Sequence, residues 1–475
     1  MLTALLPADI HSNGFSNDNG GQLATLDVAT GYQQAADAVG AALSSTPAWL
    51  TAFAACSDVS ATCRDTIVQS VGLRLFRRPL TTGASGELAS FGALFDAAVA
   101  AGKTAPADAA AVVVRAMVQS PQFLYRLESQ VPPTAGAMAR PLDNYEIATR
   151  LSYFLVGSAP DPTLLAAAQA GQLTSPDQFK TQLTRLQALP GARAIAQRYF
   201  REWFFLDGLD DEVRGPAFTP QLEADMKQET LDDVGDQLWD KGQPVLSLFT
   251  TQTTMVTPTL AQYYGLGAPS ADGTYSTASL PGRMGFLTHA GVLTENGTAE
   301  ASIVYRGLFM LESVLCESVG DPPAGATSVV LAPATASQRQ QSDARLKVEP
   351  CMSCHGVFDP LAYAFEPFDN MGGWQTTDVN GNAVRQDGWL TVPGAPNVPY
   401  TTIAQYMHLL TQDARVSSCM TSKVAQFAWG RPMASQDACM LQDMAIRTGA
   451  SQTRTFADVM TGVATSPYFL YTAVQ

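Results

Sequence analysis

Apolar residues recur every three to four positions along most of the chain, the spacing that lays one face of an α-helix on a core. Ile147, Leu151, Phe154 and Leu155 keep that spacing behind Asp143-Asn144-Tyr145-Glu146, which predicts a capping box and a helix start. Asp161-Pro162 predicts a second start, with an N-cap and then proline at the first helical position, and Gly171 marks its end. A helix beginning near Cys63 is expected to stop at Pro79, which has no N–H to give it. Further helices are expected at 174–188, 191–206 and 221–241, and an Ala-rich one from about Tyr32. The run Tyr199-Phe200-Arg201-Glu202-Trp203-Phe204-Phe205 reads as helix core, with a substrate wall as the alternative. Period-two alternation is rare. Thr253–Thr257 reads as a strand, and Thr376–Leu390 as a hairpin turning at Asn380-Gly381. The expected fold class is mostly α, a helical body of several subdomains with a minor β hairpin.

Two stretches repeat one pattern. Residues 73–128 contain Leu75-Phe76-Arg77-Arg78-Pro79-Leu80 and end in Ser120-Pro121-Gln122-Phe123-Leu124-Tyr125. Residues 427–471 contain Phe427-Ala428-Trp429-Gly430-Arg431-Pro432-Met433 and end in Ser466-Pro467-Tyr468-Phe469-Leu470-Tyr471. Each has a cysteine upstream, Cys63 and Cys419. The pattern predicts a helix, a proline stop, a second helix and a Ser-Pro end, reused to pack two ends of the body. Neither copy carries a ligand set of its own.

Composition narrows the function classes. In 475 residues, 28 Lys+Arg face 43 Asp+Glu, so the net charge of −15 argues against binding a nucleic-acid backbone. Hydrophobic residues make up 46%, too many for bulk disorder. No stretch approaches the ~18 apolar residues of a membrane span. The first residues, Met1 to Pro7, lack a basic region and a long apolar stretch, so by themselves they point to the cytoplasm.

Cys351-Met352-Ser353-Cys354-His355 overturns that reading. It is a C-x-x-C-H sequence, the attachment signature of c-type haem. Two thiols one helical turn apart can add to the two vinyl groups on one haem edge, with the adjacent imidazole as proximal iron ligand. Thioether attachment is normally completed outside the cytoplasm. A zinc site would need more ligands than this stretch offers, a thioredoxin-like pair would expect an α/β setting, and a Cys351–Cys354 disulfide would be strained. The sixth iron position is open. Met433, Met371 and Met407 are methionine candidates, each with core filling as its alternative. His289 is the leading distal histidine and His408 the next, each also readable as structural. Glu366 and Asp369, three apart, are expected on one face, as proton donors or as caps around the haem loop. Asp359-Pro360 reads as a turn and helix start, and Asp378–Asn382 as a hairpin turn in preference to a calcium loop. Of the other cysteines, Cys56–Cys63 and Cys419–Cys439 are the expected disulfides, with Cys316 left over.

The motif extends as Cys351-x-x-Cys354-His355-x-x-x-Asp359-Pro360-Leu361-x-x-x-Phe365-Glu366-x-Phe368-Asp369-x-x-Gly372. In this form it resembles the haem-motif signature of the large multi-domain cytochrome c family of planctomycetes and myxobacteria. Phe76-Arg77-Arg78-Pro79-Leu80-Thr81, Arg150-Leu151-Ser152-Tyr153-Phe154-Leu155, Arg306-Gly307 and the two Ser-Pro ends fit the same pattern, so the resemblance covers nearly the whole chain. It implies a haem protein outside the cytoplasm in a mostly helical body, with no established reaction. Members usually begin with an export signal and a longer first domain. Here that domain starts midway, at Leu6-Pro7-Ala8-Asp9, as if trimmed. The organisation expected is a partial N-terminal domain (1–50), a helical repeat unit (51–130), a central helical domain (131–320), a haem-attachment region resembling cytochrome c (321–395) and a C-terminal repeat unit (396–475). Pro322–Ala336 is the expected linker.

The function expected is that of an extracytoplasmic, periplasmic or cell-surface protein with one covalent haem c, acting as a peroxidase- or oxygenase-like oxidoreductase. His289 or Glu366 would then move protons, and the substrate would be a small oxidant or an organic molecule. The alternative is an electron carrier with six-coordinate haem that docks on a redox partner protein, and a third is a surface protein that keeps haem for stability.

Overall fold

The computed structural model describes residues 14–18, 25–128, 136–137, 139–211, 214–267, 276–280, 282–298, 301–322, 324, 331–448 and 453–473. The fold is mostly α as the periodicity predicts, with three two-stranded antiparallel sheets among the described residues. The chain forms two compact units. One comprises Met1–Ser12, Asp18–Ala192 and Pro467–Gln475, the other Asn13–Asn17 and Arg193–Ser466.

In the first unit, helices Leu26–Ser45, Ala61–Leu75, Glu87–Ala100 and Pro106–Met117 enclose Ile67, Val68, Val71, Phe95, Val113 and Met117. The first begins upstream of the expected Tyr32 because Thr25 caps it, accepting from the Val28 N–H. Cys56 and Cys63 form the expected disulfide at the foot of the second. That helix ends at Leu75, ahead of Pro79. The capping box at Asp143 and Glu146 opens helix Asn144–Val156, and Arg140 holds the Glu146 carboxylate through both oxygens. Asp161 caps helix Pro162–Gln169 and Gly171 follows it with φ +69°. Strand Ala139–Pro141 pairs with Tyr471–Ala473.

In the second unit, Tyr199, Phe200, Trp203 and Phe204 are buried, stacked among Phe15, Phe286, Phe427 and Phe456. The aromatic run is therefore core. Only Phe205, at φ +57°, turns outward. Helix Pro220–Val234 continues as a π-helical turn, Gly235–Asp240. Strand Thr253–Val256 forms where alternation predicted it and pairs with Ser276–Ser279.

The repeat is real but has one helix more than expected. Residues 61–124 run helix, arginine clamp, helix, helix and a Ser-Pro turn, and residues 414–470 run the same way. Arg78 grips Glu87 in the first copy, and Arg431 grips Asp437 in the second, each carboxylate standing at the start of the next helix.

Three expectations are corrected. Cys419 pairs with Cys316, not Cys439: it lies on the buried face of helix Ala414–Trp429, while Cys439 is exposed and free. The 376–390 hairpin closes only through a Thr377–Ala383 bridge, and strand Gly388–Leu390 pairs forward with Val398–Tyr400. Asp359 and Pro360 lie inside a helix and do not start one. Of the expected linker Pro322–Ala336, residues 323 and 325–330 lie outside the described residues.

Candidate functional site

The motif opens the helix Cys351–Ala362, with Pro350 as its cap residue. Cys351, Cys354 and His355 fall at i, i+3 and i+4, so a 3.6-residue period puts all three on one stripe. Both thiols are free and half-buried, and Met352 between them is exposed. The helix is seated by its neighbour Ile303–Phe309 at Gly307. A Cβ there would run into the carbonyl of Phe358, so only glycine lets the two backbones approach.

One turn beyond His355 stands Asp359, fully buried. Its Oδ1 lies 3.0 Å from His355 Nδ1, and its Oδ2 accepts from Ser342 Oγ at 2.6 Å and Arg345 Nη2 at 3.0 Å. A buried carboxylate held by Arg345 and Ser342 accepts, so the imidazole proton sits on Nδ1 and Nε2 keeps its lone pair. The Phe358 ring, 4.8 Å from the imidazole, fixes its other side.

The bonds continue inward. Ser342 Oγ meets Tyr363 OH at 2.8 Å, the Arg339 guanidinium lies 3.6 Å over the Tyr363 ring, and Arg339 Nη2 is 3.2 Å from Glu366 Oε2. Helices Gln338–Arg345 and Cys351–Ala362 are thus joined by a file of polar side chains from His355 to Glu366. Sequence reading missed Asp359 as a partner. The four-residue interval from His355 was the signal, once both are placed on one helix.

The other candidates lie elsewhere. His289 is fully buried, its Nδ1 3.1 Å from Thr230 Oγ1 and its Nε2 3.9 Å from both Glu229 and Asp233, with all these partners on helix Pro220–Val234. Burial pushes His289 down to about 3, so it is neutral. The same burial lifts Glu229 to about 8 and Asp233 to about 7. Glu366 is buried beyond the end of the motif helix, just after the short turn Tyr363–Phe365. Burial raises its carboxyl while Arg339 opposes the shift. Asp369 caps the next turn, accepting from the N–H groups of Met371 and Gly373. Asp378 does the same for Asn380 and Asn382. Met371 packs in a core with Leu222, Met226 and Leu260. Met407 is buried on helix Ile403–Gln412, His408 is exposed on it, and Met433 is half-buried in a loop. None of these side chains is brought against His355 by a contact among the described residues.

The donor set can be tested against haem. Two free thiols on one helical stripe, with an adjacent imidazole whose Nδ1 is tied to a carboxylate, fit covalent attachment and iron ligation through Nε2. A bare metal ion fits poorly: among the described residues no group of three His, Cys, Asp or Glu side chains converges to hold one.

Four family models match the chain, each described as a protein of unknown function: DUF1595 over residues 63–128, DUF1592 over 142–266, DUF1588 over 283–378 and DUF1585 over 399–469. The chain belongs to a multi-domain family of unknown function. The motif helix and the Asp359 network fall within the DUF1588 segment, and the two repeat copies largely coincide with the DUF1595 and DUF1585 segments. No curated protein and no solved structure matches the chain.

Proposed function

We propose that this chain is an extracytoplasmic c-type haem protein with one haem held by Cys351, Cys354 and His355, acting as an oxidoreductase. The observation that carries the reading is the bond from His355 Nδ1 to buried Asp359, beside two free thiols on one helical stripe. Cys351 and Cys354 would hold the haem edge by thioethers, and His355 would supply Nε2 to iron. When bound, the haem supplies one-electron and oxygen or peroxide chemistry. Asp359 keeps the proton on Nδ1 and fixes the ring plane. A carboxylate acceptor also makes the ring a stronger electron donor, which stabilises the oxidised metal. That favours an enzyme working on oxygen or peroxide over a carrier of high potential. Two disulfides, Cys56–Cys63 and Cys316–Cys419, support an oxidising compartment.

The second reading is an electron carrier. Met352 within the motif and Val348 just before it are exposed, so a partner could approach this face, and the chain is strongly acidic for docking.

Expression with a cytochrome c maturation system and a pyridine haemochrome spectrum tests the haem. One covalent haem per chain is expected, absent from the Cys351→Ala, Cys354→Ala double variant. Covalent haem retained in that variant sinks both readings. High-spin ferric haem that binds cyanide supports the enzyme, and a low-spin six-coordinate spectrum supports the carrier.

A further inference from the structure

The polar side chains behind His355 have a direction, set by what each group is able to donate. The Asp359 carboxylate only accepts. The one hydroxyl proton of Ser342 therefore goes to Asp359 Oδ2, at 2.6 Å. With that proton committed, the Ser342 oxygen is the acceptor in its second bond, and Tyr363 OH, 2.8 Å away, donates to it. Tyr363 keeps its proton, because burial raises its pKa above the ordinary phenol value. Two hydroxyls thus point in series at Asp359 from one side, and the His355 Nδ1–H points at it from the other.

The inner members are shut off from water: Ser342 and Asp359 are fully buried and Tyr363 is 1% exposed. In such a place hydrogen bonds are little screened, and each bond in a chain strengthens the next by roughly 10–30%. Tyr363 is also held still. The Arg339 guanidinium lies 3.6 Å over its ring, and the Trp389 ring stands perpendicular to it at 5.5 Å. On the strand beside it, Gly388 leaves open the place where a Cβ would come within 2.9 Å of the Tyr363 Cβ.

Ser342 and His355 share one acceptor. Charge that Asp359 gives to the Ser342 hydroxyl is charge it cannot apply to the imidazole N–H. Tyr363, by polarising the Ser342 O–H, increases that draw.

We propose that Tyr363 and Ser342 are positioning residues that act through Asp359 to limit how strongly the carboxylate pulls on the His355 N–H. The effect on iron rests on the haem reading above, while the hydrogen-bond effect belongs to the haem-free chain as well. A stronger pull makes the imidazole a better electron donor to a bound metal and favours its oxidised state. Removing either hydroxyl therefore acts in the sense opposite to Asp359→Asn.

The full chain tests this in both forms. Tyr363→Phe keeps the ring under Arg339 and deletes only the hydroxyl, and Ser342→Ala deletes the link itself. In the haem-loaded protein, spectroelectrochemistry should show both variants lowering the reduction potential, Ser342→Ala by more, whereas Asp359→Asn raises it. In the haem-free chain, long-range nitrogen–proton correlation NMR reads the His355 Nδ1 resonance, assigned by its loss in His355→Ala. Tyr363→Phe and Ser342→Ala should move that resonance to the opposite side of the wild-type position from Asp359→Asn, with the exposed His408 unmoved. A hydroxyl that served packing alone would leave resonance and potential unchanged in a folded variant. The proposal is overturned if folded Tyr363→Phe keeps the wild-type resonance, or if either variant moves the resonance or the potential to the same side as Asp359→Asn. Where Tyr363→Phe does not fold, Ser342→Ala decides by the same criteria. A chain that takes up no haem defeats the haem reading, and the resonance alone then decides this one.

Discussion

Asp359 is the residue on which the chemistry turns. It is buried without loss because three donors reach it, and one of them is the imidazole that would hold iron. Asp359→Asn keeps the shape but replaces a full acceptor charge with a neutral amide. In the haem-loaded protein this change should raise the reduction potential, read by spectroelectrochemistry, with the covalent haem content unchanged. An unchanged potential would separate Asp359 from the iron and leave it a structural cap. His355→Ala should leave the thiols able to take haem but change the ferric spectrum at every pH. His289 shows the opposite case. The sequence offers it as a distal ligand; complete burial beside Glu229 and Asp233 makes it neutral, and it stands as the cap residue of helix Ala290–Glu295.

At the scale of the element, helix Pro220–Val234 carries a cost that depends on pH. Glu229 and Asp233 are held protonated by burial, at about 8 and about 7, against roughly 4 in an unfolded chain. Between those values the folded state binds more protons than the unfolded one, so the carboxyls lower stability as pH rises. His289 acts in the reverse sense, since its folded value of about 3 lies below the unfolded ~6.5, and its contribution grows with pH only up to ~6.5. From pH 6.5 to 8 the carboxyls act alone. The melting temperature should therefore fall across that window, and Glu229→Gln should flatten the fall; thermal melts at half-unit steps check both, and a rising trend would contradict them. Elements were the most legible part of the sequence. The capping box at Asp143, the proline start at Pro162 and the stop before Pro79 all appear as predicted, because each is decided by groups within one turn of backbone.

Across the whole molecule, covalent links do what a single core does not. Cys316–Cys419 closes a separation of 103 residues, whereas Cys56–Cys63 closes 7. On the chain-entropy account the long link stabilises by roughly 4–5 kcal/mol and the short one by about 2–3 kcal/mol. Cys316→Ser should thus lower the urea midpoint more than Cys56→Ser does. Equal losses would mean that packing around Cys419, not loop closure, sets the stability. Spacing along the chain favoured Cys439 as the partner of Cys419, and only the packed helices show that Cys419 faces inward while Cys439 faces water.

That contrast marks the boundary of what the sequence decides by itself. It determined the helical class, the capped starts, the duplicated helical unit and the stripe of Cys351, Cys354 and His355, since these depend on residues within one or two turns of each other. The tertiary structure decided that Asp359 is held by Ser342 and Arg345 from another helix, that Cys419 bonds Cys316, and that Glu366 turns to Arg339 in the wall of a cavity. Those outcomes depend on which faces of distant segments meet. Local periodicity says that a face is buried, and the packing of the folded chain says what it is buried against.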